Sequence, residues 1–159
     1  ISTFLKLFVY VRYAKFLFVG LFSLPTLLWA QMTMTFDHDL LSYNRGLELF
    51  EKQKFGAAKD QFEQSIVNVD DQNSEISANA RFYKAACAIE LFHKDAEFLL
   101  KEFIRNYSTS PRTTEAWFLL GNFNYRKKDW KDAVNYYNEI AADDLPEPKR
   151  SEYLFKKGY

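Results

Sequence analysis

A small residue recurs at a fixed distance in two separate parts of the chain. Gly46 is followed twelve residues later by Ala58, and Gly121 is followed twelve residues later by Ala133. A glycine has no side chain, so a second helix can approach closely where a small alanine faces it. Residues four and seven positions after each alanine lie on the same face of a helix as the alanine. These residues are Phe62 and Ser65 after Ala58, and Tyr137 and Ile140 after Ala133. The pattern predicts pairs of antiparallel helices.

Two weaker copies complete the series. Ala86 is followed after ten residues by Ala96, and the shorter step predicts a tighter connecting turn; Leu100 and Phe103 then follow at the same face spacing. The end of the chain, "PEPKRSEYLFKKGY", resembles the opening of a fourth copy that includes Gly158. The copies are separated by 40, 35 and 37 residues. Periods of this length are typical of paired-helix solenoids.

The apolar periodicity and its interruptions predict the positions of the helices. Five glycines and four prolines in 159 residues favour helices over a turn-rich β fold. Ser110 is a predicted N-cap with Pro111 at the first helical position. Pro146 and Pro148 are predicted to lie between the end of one helix and the start of the next. The predicted helices run near 39–53 and 55–69, 75–91 and 94–106, and 111–127 and 130–143.

The third copy resembles a tetratricopeptide repeat. The residues that carry the resemblance are Trp117, Leu120 and Gly121, then Ala133 and Tyr137, which match the Trp-x-x-Leu-Gly and Ala-x-x-x-aromatic signatures of that family. Asn124 departs from the pattern, since the family usually has a tyrosine there. The resemblance covers about residues 39–159, strongly in copies one and three and weakly in copy two. It implies an all-α, tetratricopeptide-like solenoid of three helix pairs plus the first helix of a fourth.

The resemblance also implies a function and a site. In this family the first helices of successive pairs line a groove that holds another polypeptide. The groove residues carried over by motif are Tyr43, Leu47, Phe50, Tyr83, Cys87, Glu90, Phe118, Asn122, Tyr125 and Arg126. This mainly aromatic set suits an extended peptide or a partner helix. An alternative is that Tyr43, Phe50 and Phe118 belong to the core or contact neighbouring repeats.

One version of the family binds a peptide carboxylate through a lysine and an asparagine in the first repeat. Tyr43 and Leu47 occupy those two places here, so that version is not expected. The Tyr-x-x-Ser-Pro join at 107–111 resembles the BamD and YbgF type of periplasmic repeat protein. That narrower resemblance implies a protein of the bacterial envelope.

The N-terminal segment differs from the rest of the chain. Residues 16–30 carry no charge, and Lys6, Arg12 and Lys15 precede or border them. The stretch is short for a membrane span, which needs about 20 apolar residues, and Pro25 interrupts it. We therefore expect residues 1–30 to be a secretory signal peptide cleaved before Gln31, followed by repeats over 31–159. An uncleaved anchor is the alternative, and it is the only membrane attachment expected.

Several classes of function are not expected from this sequence. The balanced total charge leaves residues 31–159 three charges acidic, unlike a nucleic-acid-binding surface. Cys87, the single cysteine, lies in an apolar run and is expected to be a buried small side chain. Asp37, His38 and Asp39 have no second histidine near them, so a metal site is not expected. No phosphate-binding loop, catalytic constellation or cofactor motif is present.

The sequence thus predicts a non-enzymatic interaction scaffold, exported to the periplasm or outer membrane, that binds a protein or peptide partner. The chain begins at Ile1, has its first methionine at Met32, and ends at Tyr159 inside a predicted helix. We therefore expect it to be a fragment. An alternative is that it is the N-terminal repeat region of a longer protein whose C-terminal part carries an enzymatic or signalling activity.

Overall fold

Seven α-helices and one short 3₁₀ helix make up the part of the chain that the computed structural model describes, residues 40–158. No strand occurs within these residues. In chain order the α-helices are α1 (40–51), α2 (Phe55–Asn68), α3 (Glu75–Glu90), α4 (Ala96–Asn106), α5 (Thr113–Arg126), α6 (Trp130–Asn138) and α7 (Lys149–Gly158), and the 3₁₀ helix spans Ala142–Asp144. The predicted all-helical class is therefore confirmed for the described residues.

The helices pack as successive hairpins. Each helix from α2 to α7 contacts its neighbour in the chain, and α3 also contacts α5. Ring contacts from Tyr43 to Phe62 and to Tyr83 place α1 against both α2 and α3. Hairpins α1–α2, α3–α4 and α5–α6 thus stack in succession, with the first helices α3 and α5 each packed against both helices of the preceding hairpin, as expected of a tetratricopeptide-like solenoid.

The glycines of the first and third hairpins lie at equivalent helix crossings. A Cβ added to Gly46 would lie 2.7 Å from Phe62, and one added to Gly121 would lie 2.2 Å from Tyr137. In both cases the aromatic ring belongs to the second helix, sixteen residues further on. The nine face positions predicted from the sequence are all buried, at 0 to 6% exposure: Ala58, Phe62, Ser65, Ala96, Leu100, Phe103, Ala133, Tyr137 and Ile140. The repeat pattern therefore predicted the core of each hairpin correctly.

The same turn closes all three hairpins. Gln53, Phe92 and Lys128 have φ of 57°, 54° and 65°, and each lies two residues beyond the end of a first helix. In each turn this residue donates to the carbonyl three positions back, and the next residue donates to the carbonyl five positions back. This is the Schellman arrangement, which satisfies carbonyls at a helix end. None of the three residues is glycine, so the positions of the glycines in the sequence do not indicate this turn.

The turn corrects the register of the middle copy. The residue with positive φ follows Gly46 and Gly121 by seven positions, and in the middle hairpin the residue seven positions before Phe92 is Ala85. Ala85 is 1% exposed and packs in one cluster with Ala96 and Leu100. The equivalent of the glycines is therefore Ala85 and not Ala86. The predicted tighter turn was also wrong, because α4 starts four residues after the turn residue instead of two.

Two helix boundaries also differ from the prediction. Helix α5 begins at Thr113 with Arg112 as its N-cap, so Ser110 and Pro111 lie in the preceding turn. Helix α6 ends at Asn138 instead of near 143, yet Ile140 remains buried at 6% exposure. The hydroxyl of Tyr153 on α7 donates to the carbonyl of Ile140 at 3.2 Å, which fixes the segment after α6.

Residues 1–39 and Tyr159 lie outside the described residues, and with them the predicted signal peptide, its cleavage before Gln31 and the Asp37–Asp39 motif. Residues 40–158 include no helix with both the length and the apolar character that a bilayer crossing needs.

Candidate functional site

Three predicted groove residues of the first two hairpins, Tyr43, Phe50 and Tyr83, lie in one aromatic cluster. The ring of Tyr83 stacks on the ring of Phe62 with a centroid distance of 5.3 Å, and it contacts the ring of Phe50 edge-on at the same distance. The ring centroid of Tyr43 lies 6.5 Å from that of Tyr83. Tyr43, Phe50 and Tyr83 are half-buried, as is Leu47 beside them. These side chains therefore join the hairpins and also leave part of their surface at the first-helix face, the surface formed by α1, α3, α5 and α7.

Two of the predicted groove residues are buried. Phe118 is 3% exposed and packs with Ala133 and Tyr137 in the core of the third hairpin. Cys87 is fully buried against Ala58 and Phe62, and this burial raises the pKa of its thiol to about 12. The structure thus corrects the placement of these two side chains and agrees, for Phe118, with the alternative of a core role. The expected burial of Cys87 as a small hydrophobic residue is confirmed.

Glu90 and Arg126 join the second and third hairpins at the first-helix face. Arg126 Nη1 lies 3.3 Å from Glu90 Oε2, and Arg126 Nη2 donates to the carbonyl of Ile89 at 3.2 Å. The guanidinium also lies 4.4 Å from the ring centroid of Phe92. Both charged side chains are only about one-third exposed, so this pair helps to hold α3 against α5. The pair also contributes one positive and one negative charge to the first-helix face.

Asn122 connects three elements. Its Oδ1 accepts the hydroxyl of Tyr137 at 2.6 Å and the amine of Lys156 at 3.0 Å, and its Nδ2 donates to Glu152 at 3.1 Å. A single amide thereby links α5 to α6 and to α7. This predicted groove residue has its hydrogen-bonding groups occupied within the fold, so its first role is to position neighbouring helices.

A second polar chain was not predicted from the sequence. Arg112 donates to the hydroxyl of Tyr83 at 2.9 Å and to Glu115 at 2.9 Å, and Lys149 pairs with the same carboxylate. Burial opposes ionisation of Glu115, but hydrogen bonds and charge from Lys149 and then Arg112 lower its pKa below the ordinary 4.5. Arg112 and Glu115 are three residues apart at the start of α5, but no sequence spacing relates this pair to Tyr83 on α3 or to Lys149 on α7.

Tyr125 borders a cavity of about 320 Å³ at the end of α5. Its ring meets Trp130 edge-on at 4.9 Å, and the amine of Lys156 lies 5.2 Å from its centroid. Ala133 and Val134 complete the lining. Tyr125 is thus a predicted groove residue that lines an open space, and the neighbouring Trp130 was not among the predicted groove residues.

Asn124 occupies the position at which the sequence departs from the repeat pattern. It is 1% exposed, and its Nδ2 donates to the carbonyl of Leu120 at 3.1 Å. Its Oδ1 is buried with no hydrogen-bond partner among the described residues. The departure from the family pattern therefore introduces an incompletely satisfied amide into the third hairpin.

The described residues contain no group of three or more His, Cys, Asp or Glu side chains placed to hold a metal ion.

In a comparison with protein families, residues 92–147 match the family described as "Tetratricopeptide repeat". The matched segment runs from the turn of the second hairpin through the third hairpin, and it includes the signature residues Trp117, Gly121 and Ala133. The match supports the predicted resemblance to tetratricopeptide repeat proteins. Comparisons with curated proteins and with solved structures gave no match. Tetratricopeptide repeats generally mediate protein–protein interaction and are typically non-enzymatic modules.

Proposed function

We propose that this protein is a non-enzymatic scaffold, exported to the bacterial envelope, that binds a peptide or partner protein across its first-helix face. The observation that carries the proposal is the equivalence of the crossings at Gly46 and Gly121, because stacked hairpins of this kind present their first helices side by side. Repeat scaffolds of this type act through such a surface and not through a catalytic centre.

The composition of the face supports binding of a polypeptide. The half-buried rings of Tyr43, Phe50, Tyr83 and Tyr125 offer apolar area at a low cost in side-chain entropy. Ion pairs between helices, such as Glu90 with Arg126, hold this surface in place before any partner arrives. Preorganised aromatic surfaces of this kind suit a partner helix or an extended peptide.

Photo-crosslinking tests the location of the interface. A crosslinking amino acid is introduced in the full chain at Glu90, and a matched one at Val67 on α2, which is 73% exposed and lies on a second helix. We expect crosslinked partner protein from the Glu90 position and none from Val67 when both are produced in bacterial cells. Equal crosslinking from both positions would contradict a partner site on the first helices.

Export is proposed from the uncharged stretch 16–30 and the basic residues before it. Cell fractionation of a bacterium that produces the full chain is expected to place it in the envelope, with Gln31 as the new N-terminus. A product that stays in the cytoplasm with Ile1 intact would contradict export. The likeness of the 107–111 join to envelope repeat proteins supports the same location.

A further inference from the structure

We draw no further inference here: the strongest candidate, the open apolar concavity that Tyr125, Trp130 and Val134 line between α5, α6 and α7, carries none because nothing in the structure shows what covers it.

Discussion

Gly121 on α5 lies directly against the ring of Tyr137 on α6, so closely that an added Cβ would come within 2.2 Å of the ring. The same relationship joins Gly46 to Phe62 in the first hairpin, with a corresponding distance of 2.7 Å. In both hairpins the ring is fully buried. The absence of a side chain at the glycine thus allows the large aromatic ring on the second helix. A substitution at either residue therefore affects the packing of the other.

Replacing Gly121 by alanine is therefore expected to destabilise the fold. Tyr137 is fully buried, so overpacking should cost roughly 1–3 kcal/mol of unfolding free energy. Gly56 on α2 has nothing within 4 Å of an added Cβ, and Gly56→Ala should raise stability by up to about 1 kcal/mol through helix propensity. Urea unfolding of both variants measures the contrast. Equal effects at the two glycines would show that the close crossing does not exist.

Asn124→Leu is expected to stabilise the protein. The buried Oδ1 has no hydrogen-bond partner among the described residues, and leucine replaces the amide with an apolar side chain that branches at the same carbon. Relieving the desolvation of an unsatisfied polar atom should add about 1 kcal/mol, as measured by chemical unfolding. A loss of stability would indicate that the amide is satisfied, for example by a bound water molecule.

Glu115 should make the stability depend on pH in the acid range. Its folded pKa is below the ordinary 4.5, so its contribution is present above the unfolded pKa and is lost as pH falls through the folded one. Glu115→Gln is expected to lower the free energy of unfolding by about 1–2 kcal/mol at pH 7. Between pH 5 and pH 3 the free energy of unfolding should then fall less in this variant than in the wild type. Unfolding curves at both pH values, with the exposed Glu51→Gln as control, provide the measurement. Parallel pH profiles for wild type and Glu115→Gln would contradict this role.

Cys87 should be unreactive in the folded protein. The thiol is fully buried and its pKa is raised to about 12, so neither access nor thiolate is available near neutral pH. Labelling with iodoacetamide at pH 8, followed by mass spectrometry, should give no modification in buffer and complete modification in concentrated urea. Rapid labelling of the folded chain would show that α3 opens locally at this point.

Local sequence patterns predicted the helical hairpins and most of their core. Small residues and aromatic residues at fixed separations can share a buried face only on helices, and helical spacing is a local property that a short segment already encodes. For this reason the sequence pattern correctly placed Ala58, Phe62, Ala133 and Tyr137 in the core.

The tertiary structure decided the rest. It assigned Ala85 instead of Ala86 to the middle crossing, because the turn at Phe92 fixes the register and positive φ is not apparent from a non-glycine residue. It placed Phe118 in the core and left Trp130 exposed, since the exposure of a side chain depends on which helices pack beside it. The contacts of Arg112 with Tyr83 and of Glu115 with Lys149 likewise required α3, the start of α5 and α7 to meet, and no local pattern records such a meeting.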